Sequence, residues 1–357
     1  MKRGIASFVR TAGKLFFDRR SRVPAISPPK HVVVIRWDGK YGDAFVSSFF
    51  YRELRKLEGC LVTVIAPVAL AELHEKYFDV DHVLTSSPNP GFSELLRLLR
   101  KLRGIDTVVH LVGRVPVREM AFMWLLRPQN VFSLDDDLNW VNGRMGGATA
   151  GMSFSMKYAS VLQQMGIEGI DRTPRIPVPG AQTAERCFDV VVNSFGSRAD
   201  KSLKASRTIQ ALQSIADWAP HMRVGLLSSP STSQQAEIIA RAAGRTNVEV
   251  IQGVNTIYDA IAIIAAAGMV ISVDTAVVHI ASGLRKKLVA IYPSQGQEIN
   301  PWLPEPSPTT RVLFTQAASD SREKNMDAFK DSELIAALSA VIEQPSISIE
   351  STKYVED

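Results

Sequence analysis

Cysteine is scarce in this 357-residue chain: Cys60 and Cys187 stand far apart, in no metal-binding or redox spacing. Six scattered histidines add no HExxH pair, so a structural or catalytic metal is not expected and a reduced compartment is. No apolar run approaches the length that crosses a bilayer. No GxxxxGK[ST] is present and no GxGxxG follows a strand, which excludes a Walker-type phosphate loop and argues against a nicotinamide enzyme. No repeat of short period appears.

Excess positive charge is scarce too, outside one segment. The net charge is +5, but residues 1–22 hold Lys2, Arg3, Arg10, Lys14, Arg19, Arg20 and Arg22 against Asp18, so the rest of the chain is close to neutral. No basic face continues into the body, so nucleic acid is not an expected partner. Ile5, Phe8, Val9, Leu15, Phe16 and Phe17 alternate with the charges, and Arg10 and Lys14 interrupt any signal-peptide core. A basic amphipathic helix on an anionic leaflet and a disordered basic tail both fit this composition.

The rest of the chain alternates strand and helix. Short apolar runs such as Val32–Arg36, Leu61–Ala66, Thr107–Leu111, Phe188–Asn193 and Met269–Val273 are separated by helical stretches, the pattern of parallel sheets covered on both faces. Asn139–Gly151, rich in glycine and polar residues, reads as a mobile loop, and Asn300–Pro308 as a loop with no strand assigned after it. Asp331–Ile342 reads as a last helix. The expected organisation is a basic arm over residues 1–30, a nucleotide-fold domain over 31–170, a proline-rich linker over 171–186, a second nucleotide-fold domain over 187–330, and a carboxy-terminal helix and tail over 331–357.

Polar residues at strand ends are the candidate chemistry. Gly42-Asp43 follows the first strand and opens a helix; aspartate there reads as an N-cap, and a carboxylate facing a cleft can also serve as a general base. Asp38 lies nearby as a competitor. Asp274-Thr275 closes Ile271-Ser-Val and opens an apolar helix, with His279 four residues after Thr275, so both can face one ligand at a helix amino end suited to phosphate. A histidine on so apolar a helix also reads as a buried core residue. Asn193-Ser-Phe-Gly-Ser-Arg-Ala-Asp-Lys201 offers small residues followed by cations, which suits either a phosphate-binding turn or a solvated loop.

At these residues the chain resembles glycosyltransferase family nine, the ADP-heptose:lipopolysaccharide heptosyltransferases. Ile271–Pro293 is similar to the family's VSVDTGxxHLAAALGKPVVALFGP segment, Gly42-Asp43 to its amino-terminal Gly-Asp, and Ser197-Arg-Ala-Asp-Lys201 to its lysine-bearing turn. Ser155–Gly166 and Ile105–Gly113 resemble two further family segments, so the likeness spans roughly residues 31–316. It implies an α/β, GT-B-like fold of two Rossmann-like parallel-sheet domains facing a central cleft, and an inverting, metal-independent transfer of heptose from ADP-heptose, a co-substrate rather than a cofactor, to a lipopolysaccharide-core or lipid A acceptor. By that resemblance Asp43 is the base, and Lys201 is catalytic through the donor phosphates. Ser197, Asp274, Thr275, Ala276 and His279 line the donor site.

Arg36, Lys40, Arg114, Arg118 and Arg144 are acceptor candidates, because the core oligosaccharide is anionic. The expected location is cytoplasmic, peripheral on the inner membrane through residues 1–22. Three departures stand out: Ala276 replaces the usual glycine, Ser231-Thr-Ser-Gln-Gln235 replaces an acidic helix head, and the Trp37–Tyr41 turn is bulkier. They leave open a transferase using a UDP- or GDP-sugar, and a silent nucleotide-sugar- or lipid-binding partner.

Overall fold

The computed structural model describes residues 2–18, 25–178, 188–294, 300–316 and 325–345, with side chains from residue 8 onward. Cys187 and the second half of the proline-rich segment, residues 179–186, lie outside them. The chain divides into two compact units, Met1–Arg175 and Ile176–Asp357.

Unit 1 contains six strands: β1 (His31–Ile35), β2 (Leu61–Ala66), β3 (His82–Thr85), β4 (Thr107–His110), β5 (Asn130–Ser133) and β6 (Gly143–Arg144). They form one sheet in the order β3-β2-β1-β4-β5-β6, each pair parallel. Its helices are α1 (Lys2–Phe17), α2 (Tyr41–Leu54), α3 (Val68–Tyr77), α4 (Phe92–Lys101), α5 (Val117–Leu126) and α6 (Phe154–Gln164). Val32, Val33 and Val34 of β1 are sealed from solvent on both faces, which is why the central strand is a run of β-branched residues and not an alternation.

Unit 2 repeats the plan with β7 (Val190–Asn193), β8 (Val224–Leu226), β9 (Val248–Val250), β10 (Met269–Val273), β11 (Lys287–Tyr292) and β12 (Thr310–Phe314). The order is β12-β11-β10-β7-β8-β9, again all parallel. Helices α7 (Ala205–Trp218), α8 (Ser233–Ala243), α9 (Ile257–Ala266), α10 (Ala276–Gly283) and α11 (Asp331–Ile342) complete it. In each unit the chain builds outward from its first strand and then returns to the other side of it. The strand order therefore reverses beside β1 and beside β7, and α/β sheets bind ligands at the carboxyl ends of such strands.

Three details depart from the sequence reading, and a fourth decides between its two readings of the amino-terminal segment. Residues 139–151 are not an unstructured loop: they carry β6, and Asp18 accepts from the Asn139 N–H at 2.6 Å while Asp136 accepts from Gly146 and Gly147 at 2.9 and 2.6 Å. β12 is an added edge strand after the proline-rich loop. Helix α11 is not an appendage, since Leu334, Leu338 and Val341 are fully buried in the core of unit 2. The amino-terminal segment folds as α1 against unit 1, where the Arg10 guanidinium holds both oxygens of Asp135 at 2.8 and 2.7 Å and donates to the Val115 carbonyl at 2.8 Å.

Candidate active site

In unit 1 the turn after β1 gathers Arg36, Asp38, Lys40 and Asp43. Gly39, with φ of 62°, makes the reversal; this left-handed backbone is what glycine tolerates and other residues seldom adopt. Gly42 is already helical, so it is not the turn glycine. Nor is Asp43 the N-cap: Lys40 occupies that position with extended backbone and no side-chain cap, and Asp43 stands in the first turn of α2, where a carboxylate meets the positive end of the helix.

Asp43 is largely enclosed, its side chain 13% exposed, with the Lys40 ammonium 3.9 Å away. Burial pushes its carboxyl up to about 7; the Asp38 carboxylate pushes the same way, while Arg36 and Lys40 oppose. A base balanced at neutral pH is what general catalysis requires. Asp38 is more exposed and is engaged by Arg36 Nη2 at 3.1 Å. Arg36 itself is buried, donating to Ser47 Oγ at 3.1 Å and Tyr158 OH at 2.9 Å. Its guanidinium is thus fixed within the protein, and its influence on the turn is electrostatic.

The other acceptor candidates spread along the same sheet. Arg114 is exposed in the segment between β4 and α5, and Arg118 in the first turn of α5 is half-buried beside Glu119 at 3.5 Å. Glu119 accepts in turn from buried His110 at 2.7 Å, at the end of β4. Arg144 is exposed on β6, at the far edge of the sheet from β1. The fold brings Arg36, Lys40, Asp38 and Asp43 into one turn, places Arg114 and Arg118 after the neighbouring strand, and leaves Arg144 at the margin.

In unit 2 the turns after β7 and β10 meet, because these two strands are neighbours. Lys201 Nζ lies 2.6 Å from Asp274 Oδ2, with the two side chains 32% and 10% exposed. Asn193, the last residue of β7, donates to Ser272 Oγ and to Thr275 Oγ1, both at 3.0 Å. Thr275, and not Asp274, caps α10, accepting from the Val277 N–H at 3.3 Å. Asn193 and Ser272 lie within the quoted segments but are not among the candidate site residues, yet a polar residue ending a buried Val-Val-Val run is itself a signal, since it must find a partner.

The turn carrying Lys201 is braced. The Gly196 N–H donates to Ser202 Oγ at 2.8 Å, and a Cβ at Gly196 would stand 2.5 Å from the Lys201 carbonyl oxygen, so only glycine fits. Ser197 is exposed beside it. Arg198 is committed to Asp200 through two contacts of 2.8 Å, leaving Lys201 as the cation turned toward α10. Ala276 opens the helix, half-buried. His279 lies below, 6% exposed, and burial lowers its imidazole to about 4, with Lys201 adding to the effect and Asp274 opposing it. His279 is therefore neutral at pH 7. Among the described residues, no group of three or more His, Cys, Asp or Glu side chains could hold a metal ion.

A lysine, a carboxylate and a helix amino end on one switch point suit a phosphorylated sugar ligand. Residues 214–327, which include Asp274, Thr275, Ala276 and His279 but neither Lys201 nor Asp43, match the model of glycosyltransferase family 9 (heptosyltransferase). No curated protein sequence matches the chain. Among solved structures, the glycosyl transferase family 9 protein from Veillonella parvula is similar over 90% of this chain and 100% of its own, with 14% identity and a TM-score of 0.70. ADP-heptose lps heptosyltransferase II from E. coli is similar over 88% of this chain and 98% of its own, with 14% identity and a TM-score of 0.62. The E. coli heptosyltransferase WaaC with ADP is similar over 87% and 99%, with 14% identity and a TM-score of 0.60. At such identities these likenesses speak for the GT-B-like fold, and the family match speaks for the chemistry. Two parallel six-stranded sheets and the match over residues 214–327 make this chain a glycosyltransferase with a family 9 (heptosyltransferase) domain.

Proposed function

We propose that the chain transfers heptose from ADP-heptose to a lipopolysaccharide-core acceptor, with inversion and without a metal ion. The observation that carries this reading is the Lys201–Asp274 pair, 2.6 Å long, beside the Thr275-capped amino end of α10. Lys201 and the first-turn N–H groups of α10 meet the charge of the departing diphosphate, the electrostatic task a divalent ion performs elsewhere. Asp274, bound to Lys201 through Oδ2, accepts from sugar hydroxyls. Neutral His279 packs beneath them and lends the donor a hydrogen-bonding edge without a second positive charge. Ser197 and Ala276 border the phosphates.

Asp43 takes the proton from the acceptor hydroxyl as that oxygen attacks the anomeric carbon; the bond to the diphosphate breaks on the opposite face, which inverts the centre. Lys40, Arg114, Arg118 and Arg144 draw an anionic acceptor, and Arg36 holds Asp38 so that Asp43 remains the base. The basic residues of segment 1–22, apart from Arg10, which is bound to Asp135, hold the protein at the anionic inner-membrane surface, where a lipid-linked acceptor resides. Among the described residues, no helix is long and apolar enough to cross a membrane.

Another nucleotide is the second reading. The polar side chains of the turn before α8 are hydroxyls alone, with Ser229 N–H donating to Thr232 Oγ1 at 2.9 Å, where a carboxylate would otherwise read the ribose. Calorimetry with ADP-heptose, ADP, UDP-GlcNAc and GDP-mannose in chelator separates the readings. Selective binding of ADP-heptose, followed by transfer to a core acceptor, supports the proposal; preference for UDP or GDP replaces the donor, and binding without turnover on any acceptor leaves a silent partner.

A further inference from the structure

Unit 1 carries a cavity of about 380 Å³ unrelated to the Asp43 turn. It lies where the end of α1 meets α5 and β5, lined by Phe17, Met123, Trp124, Val131, Trp140 and Arg127 among others. That volume is at the lower end of the ~300–1,000 Å³ of small-molecule sites. Phe17 meets Trp124 edge to face, with ring centroids 5.9 Å apart. Among the described residues lining the cavity, Arg127 alone is ionisable.

Two features mark it as more than a packing flaw. Trp140 is 6% exposed, yet its indole N–H has no hydrogen-bond partner among the described residues. Arg127 ends α5 in the left-handed region, φ of 52°, a position glycine or asparagine usually fills, and its guanidinium stands 5.9 Å from the centre of the Trp124 ring. An exposed cation thus borders a hole lined mainly by apolar and aromatic side chains. Around it Trp124 (45%), Leu125 (38%), Leu15 (66%) and Phe16 (65%) are exposed on α5 and α1, and the α1 segment carries the concentrated positive charge.

We propose that this cavity takes the end of one acyl chain of an anionic phospholipid, with Arg127 on the headgroup phosphate. Charge complementarity selects the lipid: an apolar pocket bordered by a cation and framed by a basic helix matches an anionic amphiphile, whereas a partner helix needs a long groove with anchors at successive turns. Aromatic residues between apolar interior and charge suit the membrane interface. The inference rests on the reading that residues 1–22 meet an anionic leaflet, and it adds that the protein grips one lipid there rather than lying on the charge.

The test uses the full chain and vesicles of phosphatidylethanolamine and phosphatidylglycerol whose acyl chains are brominated at mid-length, with bromine quenching nearby indoles. Wild type is expected to bind and be quenched, with phosphatidylcholine vesicles giving neither effect. Trp140 is the decisive reporter because it is buried: Trp140→Phe and Trp124→Phe should each remove part of the quenching. Arg127→Asn, which keeps the left-handed backbone, should weaken vesicle binding roughly fivefold at unchanged circular dichroism. Binding with quenching unchanged in Trp140→Phe overturns the pocket and leaves charge-driven attachment standing. Failure to bind phosphatidylglycerol vesicles overturns both.

Discussion

Lys201 and Asp274 come from different strand ends, 73 residues apart in sequence, and meet at 2.6 Å where β7 and β10 lie side by side. The contact holds the lysine before any donor arrives. On the proposed donor assignment it also sets up a competition, since a bound diphosphate and the Asp274 carboxylate attract the same ammonium group.

That competition gives opposite expectations for the two partners. Lys201→Met should weaken ADP binding by about 1.5–3 kcal/mol, the scale of a charged hydrogen bond. Asp274→Asn should leave ADP affinity equal or higher, because the lysine is released, while turnover falls. Calorimetry with ADP beside initial rates reads both, and parallel losses of ADP affinity in the two variants would count against the assignment.

Asp43 predicts the pH profile. With its carboxyl at about 7, the base is protonated below neutrality, so kcat/KM should rise with pH and level off above about 7. Asp43→Asn should abolish transfer and leave ADP affinity unchanged. A profile flat from pH 5 to 8 (roughly one unit or more either side of that value) would assign the proton to another group.

Asn193 is expected to act through Thr275, positioning the cap of α10 without touching the ligand. Asn193→Ala leaves Thr275 and Ser272 short of a donor and should cost about 1–3 kcal/mol of stability, read by urea unfolding. It should also raise the donor KM, and Thr275→Ser should retain more of the donor affinity than Thr275→Ala, since serine can still cap the helix.

His279 makes unit 2 acid-sensitive. Its imidazole is lowered to about 4 in the folded protein, so between that value and the ordinary 6.5 the unfolded chain binds the extra proton. Its contribution is complete above about 6.5 and is lost as pH falls toward 4, on the order of 3 kcal/mol in all. His279→Gln should flatten the stability of the chain across that window in urea melts taken at successive pH values.

The Arg10–Asp135 pair, 11% and 4% exposed, should anchor α1. Asp135→Ala leaves Arg10 Nη2 and the Val115 N–H without their partner, although Nη1 keeps the Val115 carbonyl, and should cost about 3–5 kcal/mol, while Arg10→Met combined with Asp135→Asn should cost less than the two single changes added together. Thermal melts of the four proteins close that cycle.

The parallel sheets were legible because their central strands are buried on both faces and therefore read as apolar runs, as in Val32–Ile35 and Met269–Val273. β6 and β12 were not. β6 is two residues long and owes its place to the loop that Asp18 and Asp136 tie down; β12 is an edge strand, half-buried up to Leu313 and exposed at Phe314, so Thr-Arg-Val-Leu-Phe carries no such run. Asp43 was legible as a carboxylate at the opening of α2, but its place inside the helix was not, because the cap position follows from the extended backbone of Lys40 and from Gly39.

By itself the sequence determined the strand–helix alternation, the two-unit plan and the residues standing at strand ends, since all of these follow from local pattern and from what must be buried. Only the tertiary structure decided that Lys201 faces Asp274, that Asn193 holds Thr275, that burial tunes Asp43 toward neutrality, and that the basic segment packs as a helix beside an aromatic cavity. Those properties depend on which strands become neighbours and on how much water is left around a charge, and neither is written in any one stretch of the chain.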